Sequence, residues 1–168
     1  MIKRLGFQKT KKQYNIASCG TKAMQQVIRL QKGIEVPEMD LIRIANPSRK
    51  GTPIESMLRM ADKFDLKYFL KHNYSIQDLI DSVDKGNSAI LSVQGWPSYK
   101  VKNWLVETAF GHWDALDGYD TQAEKIHYYD PYDGKIKNIR YAKLHLVAHD
   151  VDFKTGEVFN HFAIFFTD

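Results

Sequence analysis

The spacing of apolar residues changes character near residue 87, and that change limits the chain to folds that join helices to an antiparallel sheet. Before it, apolar side chains recur at three and four, as in Ile54, Met57, Leu58, Ala61 and Phe64, which is the spacing of one helix face. After it come short runs dense in β-branched and aromatic residues, separated by turns. Helices first and strands afterwards predict an α+β fold. At 168 residues, 43% of them hydrophobic, the chain suits a single domain with a sizeable core. Its helical lobe is expected over about 13–86 and its β lobe over about 87–168.

Within the first half, a helix is predicted from Cys19 to Gln31, stopped by Gly33 and N-capped by Ser18. A short helix over 37–45 starts with Pro37. Thr52, with Glu55 three residues on, reads as a capping box for the next helix. Lys67–Leu70 is a short strand candidate, and Ser75–Val83 a further capped helix closed by Gly86. In the second half Ser88–Gln94 reads as a buried strand broken by Gly95-Trp96-Pro97. Gly111–Asp120 and Lys125–Asp130 read as a hairpin. A strand at Lys135–Ile139, a short helix at Tyr141–Leu146 and a closing strand at His161–Phe166 follow. Between Gly95 and Phe110 lies an irregular insertion whose aromatics, Trp96, Tyr99, Trp104 and Phe110, suit either a substrate-facing wall or packing over the core.

Several function classes drop out. No stretch approaches the roughly 20 apolar residues of a membrane span. The net charge of +4 is modest, and the basic cluster of Lys3, Arg4, Lys9, Lys11 and Lys12 reads as a solvated arm rather than a nucleic-acid site. One cysteine allows no intrachain disulfide, and the start lacks the apolar run of a signal peptide, so a reducing, cytoplasmic setting is expected. No glycine-rich phosphate loop is present, and no cofactor is expected. His145 and His149, four apart and followed by Asp150 and Asp152, have the spacing of ligands on one helix face. A further ligand is lacking, so no metal site is assigned. His72, His127 and His161 stand isolated and read as structural or surface residues.

What remains is nucleophilic chemistry. Cys19 falls in the first turn of its helix, where unpaired N–H groups and the positive end of the dipole favour a thiolate. The competing reading of a lone cysteine is a small buried side chain beneath a helix. A thiolate nucleophile needs a base, a group to orient that base, and donors for the oxyanion. His112, opening a strand after Gly111, is the candidate base. Asp130, at the end of the next strand, would orient it. Gln13, six residues before Cys19, would help stabilise the oxyanion together with the Cys19 backbone N–H. If the strand is regular, Asp114 shares the face of His112. It would then tune the imidazole or read a positive substrate group, unless a backbone N–H or a lysine satisfies it.

At these residues the sequence resembles the C39 peptidase group of papain-like cysteine proteases, and in particular its stand-alone C39-like members. The likeness is carried by Gln13, Ser18-Cys19-Gly20, Gly111-His112, Gly118-Tyr119-Asp120 and Tyr129-Asp130-Pro131 with Gly134. It extends to Lys50–Met57, Ser75–Gly86, Ala89–Trp96 and His149–Gly156, and so covers roughly 13–166. The resemblance implies a papain-like fold, with a helical lobe packed on an antiparallel sheet. It also implies Cys19 as nucleophile, His112 as general base and acid, Asp130 as orienting carboxylate and Gln13 in the oxyanion hole. Gly111, Gln94, Trp96 and Asp114 are expected on the substrate side of the cleft, with a peptide or protein as partner. Thr21 replaces the proline that often follows Cys-Gly in the family, and Asp114 and Asp117 fall where its strands usually carry apolar residues. Three readings stay open: a peptidase, another acyl transfer on the same thioester (deamidation, isopeptide cleavage or γ-glutamyl transfer), and a peptide-binding module without turnover.

Overall fold

The computed structural model describes residues 1–95, 103–153 and 155–168. Its strands are β1 (Ile2–Arg4), β2 (Lys67–Lys71), β3 (Ala89–Gln94), β4 (Gly111–Asp120), β5 (Lys125–Asp130), β6 (Lys135–Arg140), β7 (His149–Val151), β8 (Val158–Asn160) and β9 (Ala163–Thr167). The α-helices are α1 (Cys19–Lys32), α2 (Glu38–Ala45), α3 (Ile54–Lys63), α4 (Ile76–Asp84) and α5 (Tyr141–Val147). Among the described residues, seven strands form one sheet in the order β2-β9-β3-β4-β5-β6, with β1 beside β4. Every pairing in it is antiparallel. β7 and β8 form a separate hairpin.

Both faces of the sheet are covered, which is why β3 is buried along its whole length. Helices α1, α2 and α3 pack on one face against Ile90, Trp113, Ala115, Tyr129 and Ile164. On the other face α4 and α5 pack against Leu91, Val93, Leu116, Tyr119 and Tyr128. The alternation of neighbouring strand residues between faces follows from the strand's period of two. Met24, Val27 and Ile28 of α1 are fully buried, each contributing about 1.5–3 kcal/mol. α1 ends at Gly33 in the left-handed conformation, its N–H bonded to the Arg29 carbonyl, a common helix stop. α4 begins at a true capping box between Ser75 and Asp78.

The architecture is the expected α+β arrangement of helices on an antiparallel sheet, with several local differences. The expected division at 86/87 is crossed: β1 and β2 join the sheet, and α4 lies on the face opposite α1–α3. Of the basic cluster expected to form a solvated arm, Lys9, Lys11 and Lys12 are exposed, but Lys3 and Arg4 are docked. β1 pairs with β4, Lys3 Nζ lies 3.1 Å from Asp84 Oδ1, and Arg4 pairs with the fully buried Asp117. Asp117 also accepts the Phe7 N–H at 2.8 Å. It sits at a register shift between Leu116 and Gly118, and its apolar-looking strand position is explained by this pairing. A Cβ on Gly118 would stand 2.1 Å from the Lys3 carbonyl oxygen, so β1 can approach β4 only over a glycine. No helix among the described residues is long and apolar enough to cross a membrane.

Candidate active site

Cys19 is the first residue of α1 and is buried. Ser18 holds the N-cap position, but its hydroxyl does not cap the helix. It turns back instead, donating to the Asn15 carbonyl and accepting the Asn15 N–H, both at 3.0 Å. Thr52 is not the N-cap of α3 either, since that position belongs to Pro53. The Thr52 hydroxyl donates to the Ala17 carbonyl at 2.9 Å, and the Thr52 carbonyl accepts the Trp113 indole N–H at 2.8 Å. Thr52 therefore ties the start of α1 to β4, which carries His112. Gly20 makes the approach possible: a Cβ there would lie 2.5 Å from Met57 Sδ and 2.7 Å from Thr52 Cβ.

His112 and Asp114 project from the same face of β4. One step beyond the Ala115–Tyr129 pair, Asp130 of β5 comes opposite Asp114, so register alone gathers two carboxylates at one imidazole. His112 Nε2 lies 2.9 Å from Asp130 Oδ1 and 3.3 Å from Asp114 Oδ1. The Cys19 thiol is a hydrogen-bond neighbour of the same ring. Asp130 Oδ1 also accepts the Tyr132 N–H at 2.8 Å, and Asp130 Oδ2 accepts Lys137 Nζ at 2.6 Å. Lys137, on β6, also reaches Asp133 at 3.1 Å.

These contacts set the charges. Burial alone would favour a neutral imidazole, but the charge and hydrogen bond of Asp114, then the bonds to Asp130 and Cys19, hold His112 well above its ordinary value. For Asp114, burial dominates and pushes the carboxyl up to about 6; His112 opposes the rise and the Asp130 charge adds to it. Like charges opposite one another across a ladder repel. Asp130 goes the other way: burial would raise it, but His112, Lys137 and the Tyr132 N–H bring it down to about 2. Burial would lower Lys137, and Asp130 and Asp133 outweigh it, so the ammonium is reinforced.

Gln13 is buried, and its backbone N–H donates to the Pro131 carbonyl at 2.9 Å. Its Nε2 donates to the Asn15 carbonyl at 2.6 Å, which pins the amide while leaving its second N–H available. Two adjoining clefts open here. One of about 520 Å³ is lined by Gln13, His112, Phe110 and Tyr132. The other, about 170 Å³, is lined by Cys19, Thr52, Trp113 and Asp150. Gly111 lines both.

The residues expected on the substrate side are placed differently from one another. Gly111 stands in the clefts. Gln94 is buried, its amide donating to the His149 carbonyl at 3.0 Å and to Asp150 Oδ1 at 3.1 Å while accepting the Phe110 N–H. Asp114 lies behind His112 and lines neither cleft. Trp96 and Tyr99 fall outside the described residues. His145, His149, Asp150 and Asp152 do not gather: His145 bonds His161, and His149 bonds the Glu107 carbonyl. Among the described residues the group able to hold a cation is His112, Asp114 and Asp130, with donor atoms within 4.8 Å of one another. The Lys137 ammonium already supplies positive charge there. Sequence reading missed Lys137 and Thr52. The signal for Lys137 was faint, an alternating basic strand whose register could be known only once β5 and β6 had paired.

The profile of the Peptidase_C39 like family matches residues 7–148. Among solved structures, the chain is similar to a C39-like peptidase from Bacillus anthracis, with 15% identity, a TM-score of 0.71, and 100% of this chain and 98% of that one covered. It is similar also to a double glycine motif protease from an AMS/PCAT transporter, solved with the leader peptide, at 16% identity and TM-score 0.68, covering 99% and 95% of the two chains. The peptidase domain of Streptococcus ComA, a bi-functional ABC transporter of a quorum-sensing pathway, gives 16% identity and TM-score 0.63 over 95% and 97%. At these identities the likeness shows the shared fold. No curated protein sequence matches the chain.

Proposed function

The chain belongs to the Peptidase_C39 like family, and on that footing we propose that it is a cysteine peptidase working through a thioester on Cys19. The observation that carries the reading is the His112 ring, which neighbours the Cys19 thiol and sits 2.9 Å from a fully buried carboxylate. Nε2 is committed to Asp130, which leaves Nδ1 to serve the sulfur. A ring held protonated cannot accept the thiol proton, so the reacting form is a thiolate beside an imidazolium.

The sulfur attacks the peptide carbonyl, an S–C bond forms, and the carbonyl electron pair moves to oxygen. That oxyanion meets the Cys19 backbone N–H and the free N–H of the Gln13 amide. Collapse breaks the C–N bond as His112 delivers its proton to the leaving amine. The ring, now neutral, takes a proton from water as the water oxygen adds to the thioester. Expulsion of the thiolate then releases the acid and restores the ion pair. Asp130 keeps the ring oriented and stabilises its charge throughout. A similar protease solved with a leader peptide supports a peptide as the substrate class. A thiol that must stay reduced to react supports a reducing compartment such as the cytoplasm.

The test is hydrolysis of a peptide mixture in ¹⁸O-labelled water, read by mass spectrometry. The expected result is new carboxyl termini carrying one ¹⁸O, lost in Cys19→Ala and in His112→Ala. Intact peptides, or products indifferent to Cys19→Ala, contradict the reading; unlabelled products joined to added amines would instead mark an acyl transferase.

A further inference from the structure

The cleft beside Cys19 carries a carboxylate that hydrolysis itself does not use. Asp150 lines it from β7. Its carboxylate occupies the place of the missing Gly111 side chain, since a Cβ there would stand 2.4 Å from Asp150 Oδ2. Gly111 immediately precedes His112, so this carboxylate lies against the strand that bears the base. Three donors hold it: Gln94 Nε2 at 3.1 Å, the Val151 N–H at 2.8 Å, and the Ser92 hydroxyl. No lysine or arginine among the described residues forms an ion pair with it. Lys50 lines the same cleft without doing so. Burial raises the Asp150 carboxyl to about 6 against the pull of these hydrogen bonds, which leaves it ionised at neutral pH. Ile54, Trp113 and Phe159 add apolar wall to the cleft, the kind of surface that covers the stem of a long basic side chain.

The chemistry assigns the two clefts to the two halves of a substrate. The imidazolium gives its proton to the leaving amine, so that half lies in the cleft lined by His112. The acyl half stays on the sulfur and lies in the cleft lined by Cys19. We infer that Asp150 is a specificity-determining residue, selecting substrates with a lysine or arginine side chain close to the scissile bond on the acyl side. This rests on the peptidase reading, and it goes beyond a bracing role, which would be blind to substrate charge.

Peptidyl vinyl sulfones test it, with lysine or N-acetyl-lysine at each of the first three acyl-side positions and intact mass reporting modification of Cys19. In the full-length protein, lysine at one position is expected to react about tenfold faster than its acetylated counterpart, the scale of a charge-assisted hydrogen bond in a partly wet cleft. In Asp150→Asn the ratio is expected to fall to about one. Equal rates in the native protein, or an unchanged ratio in Asp150→Asn, overturn the inference. The native comparison decides even if that variant fails to fold. If no peptidyl sulfone outpaces methyl vinyl sulfone, the peptidase reading fails and takes the inference with it. Faster reaction without regard to charge overturns the role of Asp150 alone.

Discussion

Asp130→Asn removes a buried charge and keeps its shape. An asparagine oxygen can still accept from His112 Nε2 and from the Tyr132 N–H, but it offers Lys137 no counter-charge at the 2.6 Å contact. In the fold, burial pushes the Asp130 carboxyl up, while His112, Lys137 and the Tyr132 N–H together bring it from 3.8 down to about 2. At roughly 1.4 kcal/mol for each pH unit, that depression is worth about 2.5 kcal/mol of stability at neutral pH. A carboxyl depressed by folding contributes fully above its unfolded value and loses that contribution as pH falls toward its folded one. The stability Asp130 provides is thus present above pH 3.8 and disappears on the way down to about 2. Urea titrations of native protein and variant are the assay. Native protein should exceed Asp130→Asn by about 2.5 kcal/mol at pH 7, with about half of the gap gone by pH 3. A gap of the same size at both pH values, or none at pH 7, refutes the reasoning.

Asp114→Asn removes the charge that most raises His112, so NMR titration of the His112 ring protons should give a lower midpoint than in the native protein; an unmoved midpoint would show that Asp114 does not act on the ring. Gly20→Ala places a methyl group against Met57 and Thr52. It should lower stability by about 1–3 kcal/mol and slow Cys19 alkylation, both readable from thermal melts and mass spectrometry on one sample. Arg4→Met strips the cation from an Asp117 that is 0% exposed. Because Arg4 itself is partly solvated, a loss of about 2 kcal/mol in urea titrations is expected, and a silent variant would show that β1 is not held by this pair.

How much of this was legible in the chain depended on how local each signal was. The limits of β4 and β5 follow from alternation and turns close in sequence, and they match residue for residue. The Ser75 capping box is equally local, its two partners three residues apart. Thr52 carries the same signature with Glu55, yet its hydroxyl goes to Ala17, thirty-five residues away in the chain. A tertiary acceptor won over the local cap. β1, β7 and β8 have three residues each, too few to show a period, and exist because a partner strand is near. Around the candidate site, the common face of His112 and Asp114 followed from strand periodicity. Lys137 and the Arg4–Asp117 pair depended on strand register and on the β1–β4 pairing, which no single stretch of sequence encodes.

The pairing of Cys19 with His112 is tested most directly by the pH dependence of Cys19 alkylation with iodoacetamide, in the native protein and in His112→Ala. At pH 6, alkylation is expected to be about tenfold or more faster in the native chain than in His112→Ala, because only the native chain holds an imidazolium beside the sulfur. Equally slow alkylation of both proteins would contradict it.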